Sequence, residues 1–459
     1  MSKTYRPWNP DQDWLLPPSP REWLPEGDLV YFMLDVVKTL DLSEITRRYE
    51  QEDRGFPPYH PRLMVTLLLY SYCMGAYSSR RIQKLCERDA AYRVIVGNDV
   101  PNFRTISDFR KDHLPALQGL FVQVLMLCRQ AGLVTVGLVS LDGTKVKANA
   151  SRHKAMSYEY MQKEEERLRK EIAELLSKAE STDAAEDDLH GREARGDELP
   201  AELARRETRL AKIQEARKAL EEQALAAAQA ETARRQSEDD ARRAVGETPR
   251  PRKPVDATPE PKAQRNFTDP ESKIMKVSNK GFDQCGNAQI VCNEEQIIVA
   301  ADVTDQANDK RQVQPMVAQA QENLAEAGVE EKIAALDADT GYYSEENVSY
   351  AEGQNIDPYI ATQRLKHHEK AHCDPGDGPV PEGLTPKERM ARKLRTKQGR
   401  ETYARRKGMI EPIFGQIKQG RGFRQFLLRG LAKMRGEWRL ICLTHNLLKL
   451  FGAQVQAAA

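Results

Sequence analysis

The chain has 459 residues, a length that predicts two or three domains and a sizeable buried core. Its formal net charge is only +1, so the overall charge does not by itself indicate a nucleic-acid partner. The seven cysteines are scattered, and no apolar stretch is long enough to span a bilayer. We therefore expect a soluble, cytoplasmic protein with free thiols and no membrane partner.

The first 132 residues predict an arm followed by a helical domain. Residues 1–60 are rich in proline and tryptophan, which favours an extended arm that docks its aromatic side chains on a domain surface. Residues 61–132 predict short helices, with the first at 62–74 and another opening at 105–108, where the sequence resembles a capping box. Short basic helices joined by tight turns resemble a helix-turn-helix DNA-binding unit, although a plain helical bundle gives the same pattern.

A long insertion follows the first predicted strand. Apolar residues over 133–142 predict a buried strand, and residues 158–262 then become rich in Glu, Lys, Arg and Ala. Two apolar stripes separated by a break at 183–200 predict an antiparallel helical hairpin of coiled-coil type, and residues 237–261 read as a linker. Spacing, dimerisation or a DNA-facing arm are possible uses, and a solvated hairpin without chemistry is the alternative.

Alternating strands and helices resume after the insertion. Together with the strand ending at Asp142 they predict an α/β layer architecture. The chain is expected to become helical again from about residue 400 to Leu450. The predicted strands are 276–279, 288–292, 297–303, 333–338 and 357–361, and the predicted helices between them are 313–327 and 344–351.

Three carboxylates stand out in this pattern. Asp142 and Asp339 each end an apolar run, and Glu411 lies in a basic, helix-prone stretch. Such a set suits two divalent metal ions acting on a phosphodiester, because hard oxygen ligands suit Mg²⁺. Asp337 and Asp302 compete for the role, and we prefer Asp339 to Asp337 because the turn at Gly341 exposes it.

The C-terminal region is strongly basic. Residues 387–439 contain seventeen Lys and Arg against four Asp and Glu, which suits a polyanionic partner. Lys407, Glu411 and Lys418 share one helix face, although Pro412 either starts a new helix there or kinks a longer one. Contacts with backbone phosphates are expected for Arg421, Arg424 and Arg429. A zinc site is conceivable at a separate cluster formed by His367, His368, His372 and Cys373.

The segments LDGT (141–144), DTGYY (339–343) and IEPIFGQIK (410–418), in this order, resemble the DDE transposases of bacterial insertion sequences, in the retroviral-integrase superfamily. The resemblance implies an RNase H-like α/β catalytic domain with a mixed five-stranded sheet. It also implies Mg²⁺-dependent cleavage at transposon ends with two metal ions, for which Mn²⁺ can substitute, and transfer of the freed 3′-hydroxyl to target DNA.

The same resemblance assigns the residues and the domains. Asp142, Asp339 and Glu411 take the metal-ligand and catalytic roles. The family's Tyr, Arg, Glu, Lys motif is approximated by Tyr403, Arg406, Glu411 and Lys418, with four residues rather than three between Arg and Glu. Choosing Lys407 restores that gap but misplaces the tyrosine. The implied layout is an arm at 1–60, a helical DNA-binding domain at 61–132, a catalytic domain at 133–157 and 263–452, and the insertion at 158–262.

The implied partners are transposon-end and target DNA, bound by a homodimer in a synaptic complex that associates with the bacterial nucleoid. Two other readings stay open. One is an RNase H-like DNA nuclease that cuts without strand transfer. The other is a catalytically decayed DNA-binding protein with a coiled coil.

Overall fold

A computed structural model describes residues 19, 22–50, 57–97, 99–151, 154–190, 201–244, 246–248, 251–277, 281–363, 378 and 380–458. The cluster at His367, His368, His372 and Cys373 lies outside these residues, as do Trp8 and Trp14 of the predicted arm. The chain forms two compact units. Unit 1 contains residues 1–146, 287–428 and 432–459, and unit 2 contains residues 147–286 and 429–431.

Unit 1 begins with seven helices among the described residues. They are α1 (Leu29–Thr39), α2 (Ser43–Glu50), α3 (Pro61–Cys73), α4 (Ser79–Arg88), α5 (Ala90–Val96), α6 (Phe103–Asp112) and α7 (Leu114–Gln130). The predicted extended arm is therefore wrong for the part of it that holds α1 and α2. Asp28 caps α1 by accepting a hydrogen bond of 2.9 Å from the Val30 amide. Val30 and Met33 are fully buried, so this segment gains more by packing as a helix.

The start of α6 also differs from the prediction. The helix begins at Phe103, because Asn102 accepts a hydrogen bond of 2.9 Å from the Arg104 amide and so acts as the N-cap. Thr105 consequently lies inside the helix and opens nothing. An asparagine one turn earlier satisfies the free amides that a capping box at Thr105 would have satisfied.

The sheet of unit 1 is mixed and carries helices, which confirms the predicted α/β architecture at that level. Its strands are β1 (Leu138–Lys147), β5 (Phe282–Cys292), β6 (Ile298–Thr304), β7 (Ala335–Ala338) and β8 (Asp357–Ile360). Strands β5, β1, β7 and β8 are neighbours in that order, and β6 pairs with β5. Strands β1, β7 and β8 are parallel, and β5 is antiparallel to β6. Helix α10 (Val313–Glu326) packs on β6, and α11 (Glu345–Gly353) packs on β8.

The end of the chain is helical, as predicted. Its elements are α12 (Pro386–Lys393), α13 (Lys397–Met409), α14 (Glu411–Gly415), a π-helical turn (Gln416–Gly420) and α15 (Leu431–Ala458). Helix α13 packs against β7 and β8. In α15, Trp438 is fully buried and its Nε1 donates a hydrogen bond of 3.0 Å to the Gln289 carbonyl on β5.

Unit 2 contains the insertion. Helix α8 (Tyr158–His190) packs on α9 (Ala201–Ala244), and α9 continues past the predicted start of the linker at Ser237. The two helices are antiparallel, since Glu165 pairs with Arg217 whereas Glu171, further along α8, pairs with Arg206. At the base, β2 (Ala155–Ser157) pairs with β3 (Gln264–Asn266).

One further strand lies in unit 2. Strand β4 (Lys273–Lys276) pairs antiparallel with the first residues of β5, which also belong to unit 2. With β4, six strands are hydrogen bonded, where the family resemblance implied five. The strand lies slightly before its predicted place at 276–279, because Ile274 and Met275 pair with Gln284 and Asp283 of β5.

Candidate active site

Two of the three predicted carboxylates lie next to each other, at the point where the pairing of two parallel strands ends. Strands β1 and β7 are parallel neighbours, and their last paired residues are Leu141 and Ala338. Asp142 is the next residue of β1, which continues to Lys147, so the prediction that this strand ends at Asp142 is wrong. Asp339 directly follows the last residue of β7. Adjacent parallel strands lie about 4.8 Å apart, so their side chains can act on one ligand. The register therefore brings together two residues that are far apart in the sequence.

Local hydrogen bonds fix both aspartates. Asp142 Oδ1 accepts from the Gly143 amide at 2.7 Å. Asp339 Oδ1 accepts from the Gly341 amide at 2.8 Å and caps the short 3₁₀ turn Thr340–Tyr342. The predicted turn at Gly341 is present. Asp339 is half-buried whereas Asp337 is fully buried, so Asp339 is the more accessible of the two carboxylates.

An arginine from α13 neutralises part of this negative charge. Arg406 Nη2 lies 2.5 Å from Asp142 Oδ2, and its Nε lies 3.9 Å from Asp337 Oδ1. Asp337 Oδ1 also accepts a hydrogen bond of 2.5 Å from the Ser140 hydroxyl. We call Asp142, Asp337, Asp339 and Arg406 the acidic centre. Helix α13 packs on β7, and this packing places Arg406 at the acidic centre.

The acidic centre perturbs its own titration. Burial raises the pKa of Asp142 to about 6, Arg406 opposes this rise, and the charge of Asp339 adds to it. Burial also raises the pKa of Asp337 to about 7, against the opposing effects of the Ser140 hydrogen bond and Arg406. The carboxylates thus lie close enough to repel one another, as expected where a cation is to be bound.

Tyr403 lies beside the acidic centre. It is half-buried on α13, one turn before Arg406. Burial raises its pKa; the charge of Arg406 lowers it, and those of Asp339 and Asp337 raise it. The structure therefore brings the predicted tyrosine and arginine together with both aspartates, whereas Lys407 is exposed.

Lys418 also reaches this edge of the sheet. It donates to the Thr144 hydroxyl and, at 2.9 Å, to the Lys145 carbonyl. Both acceptors lie on β1 just after Asp142. Because Lys418 belongs to the π-helical turn after α14, this contact ties the turn to the strand that carries the first aspartate.

Glu411 is not assembled with the two aspartates. It is the exposed first residue of α14, separated from the end of α13 by Ile410. Pro412 follows in the first turn, so of the two alternatives that the sequence left open, a new helix and a kinked longer one, the structure has the new helix. Buried Ile410 and Ile413 anchor the junction. In the part of the chain that the structure describes, no three His, Cys, Asp or Glu side chains are grouped to hold a metal ion.

The predicted phosphate contacts fall into two classes. Arg424 and Arg429 are exposed, as a DNA contact requires. Arg421 is buried, and it donates at 2.8 Å to the Thr444 hydroxyl and at 3.2 Å to the Ile441 carbonyl. Its burial contradicts the predicted contact with DNA. Internal hydrogen bonds take up this guanidinium, and a basic sequence pattern does not distinguish such an arginine from an exposed one.

Two other acids have roles that sequence reasoning did not assign. Asp302 on β6 forms an ion pair of 3.0 Å with Arg435. Asp309, in the loop between β6 and α10, forms one of 3.3 Å with Lys145 on β1. The pattern of an acid at the end of an apolar run does not reveal Asp309, because Asp309 lies five residues beyond the end of β6.

Two family models match parts of the chain. Residues 18–112 match a family described as "Transposase domain (DUF772)", and residues 381–451 match one described as "Transposase DDE domain". The second match contains Tyr403, Arg406, Glu411 and Lys418. No curated protein and no solved structure is significantly similar to the chain.

The structure thus has a mixed α/β sheet with two neighbouring aspartates where the pairing of β1 and β7 ends, followed in the chain by a basic helical segment. The two family matches confirm the predicted resemblance to transposases and support a DDE transposase of an insertion sequence. Such domains imply a DNA partner, and the DDE family implies dependence on a divalent metal ion. None of the described helices is both long and apolar enough to cross a membrane.

Proposed function

We propose that the chain cleaves DNA at the ends of its insertion sequence and joins the freed 3′-hydroxyl to target DNA, using two metal ions on an RNase H-like domain. The placement of Asp142 and Asp339 immediately after the last paired residues of parallel strands β1 and β7 carries this proposal. The match of residues 381–451 to a transposase DDE domain supports it.

The donor set of the acidic centre fits Mg²⁺, with Mn²⁺ as a substitute. Mg²⁺ keeps several waters and is commonly held by one or two carboxylates together with phosphate oxygens. Asp142 and Asp339 supply hard oxygens of this kind, and Glu411 is the proposed third ligand. Buried Asp337 Oδ2 has no hydrogen-bond partner among the described residues, which leaves an unsatisfied polar oxygen beside these ligands. When bound, the ions would activate a water or hydroxyl and stabilise the leaving oxygen.

The chain's own cations complete the proposal. Arg406 balances the charge of Asp142, and Lys418 holds the turn after α14 against β1. Exposed Lys407, Arg424 and Arg429 would contact DNA phosphates, so binding should weaken steeply with salt. Tyr403 would support Arg406 beside the DNA. A homodimer in a synaptic complex on nucleoid DNA is the assembly that such joining requires.

The test uses a DNA duplex with the sequences that flank the coding region, a free 3′-hydroxyl, a plasmid target and Mg²⁺. Asp142→Asn is expected to abolish cleavage and joining while the salt-sensitive binding of DNA survives. Asp302→Asn is the matched control, because Asp302 is a strand acid paired with Arg435 outside the acidic centre.

Two outcomes would count against the proposal. Cleavage without joined products by the wild-type chain would favour the nuclease reading over the transposase. Unchanged cleavage by Asp142→Asn would remove Asp142 from the catalytic site.

A further inference from the structure

Asp309 is joined to the strand that carries Asp142. Its Oδ1 lies 3.3 Å from Lys145 Nζ, and Lys145 follows Asp142 by three residues on β1. Oδ1 also accepts hydrogen bonds from Asn287 at 2.6 Å and from Gln289 at 2.9 Å, both on β5. Three donors therefore fix one oxygen of a side chain that lies on a loop.

Gln289 extends this linkage towards Asp339. Its Nε2 donates to Asp309, which leaves its Oε1 to accept from the Tyr342 hydroxyl. Tyr342 is buried and belongs to the 3₁₀ turn that Asp339 caps. The orientation of one amide, set by Asp309, is thus passed to the turn that holds the second aspartate.

Two glycines leave room for this arrangement. A Cβ at Gly143 would lie 2.3 Å from Gln289 Nε2, so any other residue beside Asp142 would displace the amide. A Cβ at Gly341 would lie 3.0 Å from Asp339 Oδ1 and 3.5 Å from Asp309 Oδ2. The two carboxylates therefore flank the same narrow space. The charge of Asp309 also contributes to the raised pKa of Asp142, after the larger effect of burial.

We propose that Asp309 is a positioning residue of the acidic centre, which sets the segments carrying Asp142 and Asp339 at the spacing that a divalent cation needs. This inference rests on the proposed metal-dependent function and adds a residue to it. Asp309 acts through Lys145 and Gln289. Partners that orient metal ligands in this way typically change metal affinity by about 10- to 100-fold when they are lost.

The experiment measures binding of Mn²⁺ alone to the full chain by electron paramagnetic resonance, without DNA. Asp309→Asn keeps the size of the side chain and is expected to weaken Mn²⁺ binding by about 10- to 100-fold. Asp305→Asn is the matched control, because it makes the same change of charge in the same loop. Asp305 has no hydrogen bond or ion pair with the described residues, so the Mn²⁺ affinity of Asp305→Asn should stay within about twofold of the wild-type value.

A second pair of variants approaches the same space from the other side. Gly341→Ala should force Asp339 and Asp309 apart and also weaken Mn²⁺ binding, whether or not Asp309→Asn folds. Gly353→Ala is its control, since a Cβ there meets nothing within 4 Å. Circular dichroism of the metal-free variants reports the folded fraction.

Three results would overturn the inference. The first is wild-type affinity in Asp309→Asn or, where that variant does not fold, in Gly341→Ala. The second is an equal loss in Asp309→Asn and Asp305→Asn, which would indicate a general effect of charge. The third is a loss that only matches a smaller folded fraction. A wild-type chain that binds no Mn²⁺ would instead overturn the metal site of the proposed function, and with it this inference.

Discussion

The buried carboxyl of Asp337 should make the metal-free protein less stable as the pH rises, and Asp337→Asn should remove that loss. Asp337 is fully buried, and burial raises its pKa to about 7 from an ordinary value of 3.8. Ser140 donates to one of its oxygens, and the other has no hydrogen-bond partner. Asparagine has nearly the same shape and cannot ionise.

The raised pKa of Asp337 determines that stability falls, and does not rise, with increasing pH. A carboxyl with a raised pKa binds its proton more tightly in the folded state than in the unfolded state. Its stabilising contribution is therefore complete below about pH 4 and is lost as the pH rises through about 7. A pKa of about 7 in place of 3.8 corresponds to a free-energy difference of about 4 kcal/mol between the ionised and neutral carboxyl of Asp337. Coupling to Asp142 through Arg406 divides this cost, so we expect about 2 to 4 kcal/mol.

The assay is urea unfolding in EDTA at pH 4 and pH 8, followed by tryptophan fluorescence, to which buried Trp438 of unit 1 contributes. The assay compares the free energy of unfolding of Asp337→Asn with that of the wild type at each pH. The difference, variant minus wild type, should be about 2 to 4 kcal/mol larger at pH 8 than at pH 4. Asp305→Asn should show no such change. An equal difference between Asp337→Asn and wild type at both pH values would refute the reasoning.

Two further predictions concern packing and the insertion. Gly436→Ala should destabilise unit 1 by about 1 to 3 kcal/mol, measured by urea unfolding, because a Cβ would lie 2.5 Å from a side chain of α7. Gly452→Ala in the same helix, where a Cβ meets nothing within 4 Å, should be neutral. Glu165→Gln should lower the thermal stability of the helical hairpin, because buried Glu165 pairs with Arg217 at 2.5 Å. Exposed Glu166→Gln should not, and equal effects would contradict a special role for the buried pair.

The sequence predicts a strand end correctly at Asp339 but not at Asp142. The apolar run before Asp339 stops where β7 ends, whereas the run before Asp142 stops in the middle of β1, because the strand continues with mostly half-buried residues to Lys147. The sequence cannot specify that β1 and β7 are neighbours in the register Leu141 to Ala338. That pairing depends on the packing of the whole sheet, and it decides whether the two carboxylates can share a cation.

The basic segment shows the opposite limit. Arg421 and Arg424 have similar local sequences, yet one is buried and the other exposed. The carbonyl of Tyr72, at 3.5 Å from Arg421, comes from α3, 349 residues away in sequence. Asp309 was missed for the same reason, because it lies on a loop and its partners Asn287 and Gln289 lie on β5, about 20 residues earlier in the chain. Long-range partners decide the role of a charged residue, and local composition does not reveal them.

The charges in and beside the acidic centre relate the stability of the protein to the binding of a cation. Asp142, Asp337, Asp339 and Asp309 would carry four negative charges when ionised, against one positive charge on Arg406 and one on Lys145. This leaves an excess of two negative charges, which bound cations would offset. Burial is the main cause of the raised pKa values of Asp142 and Asp337, and the charge of a neighbouring carboxylate adds to each rise. A site that resists ionisation when empty should therefore gain stability when a divalent cation binds, and the gain should be larger at pH 8 than at pH 5.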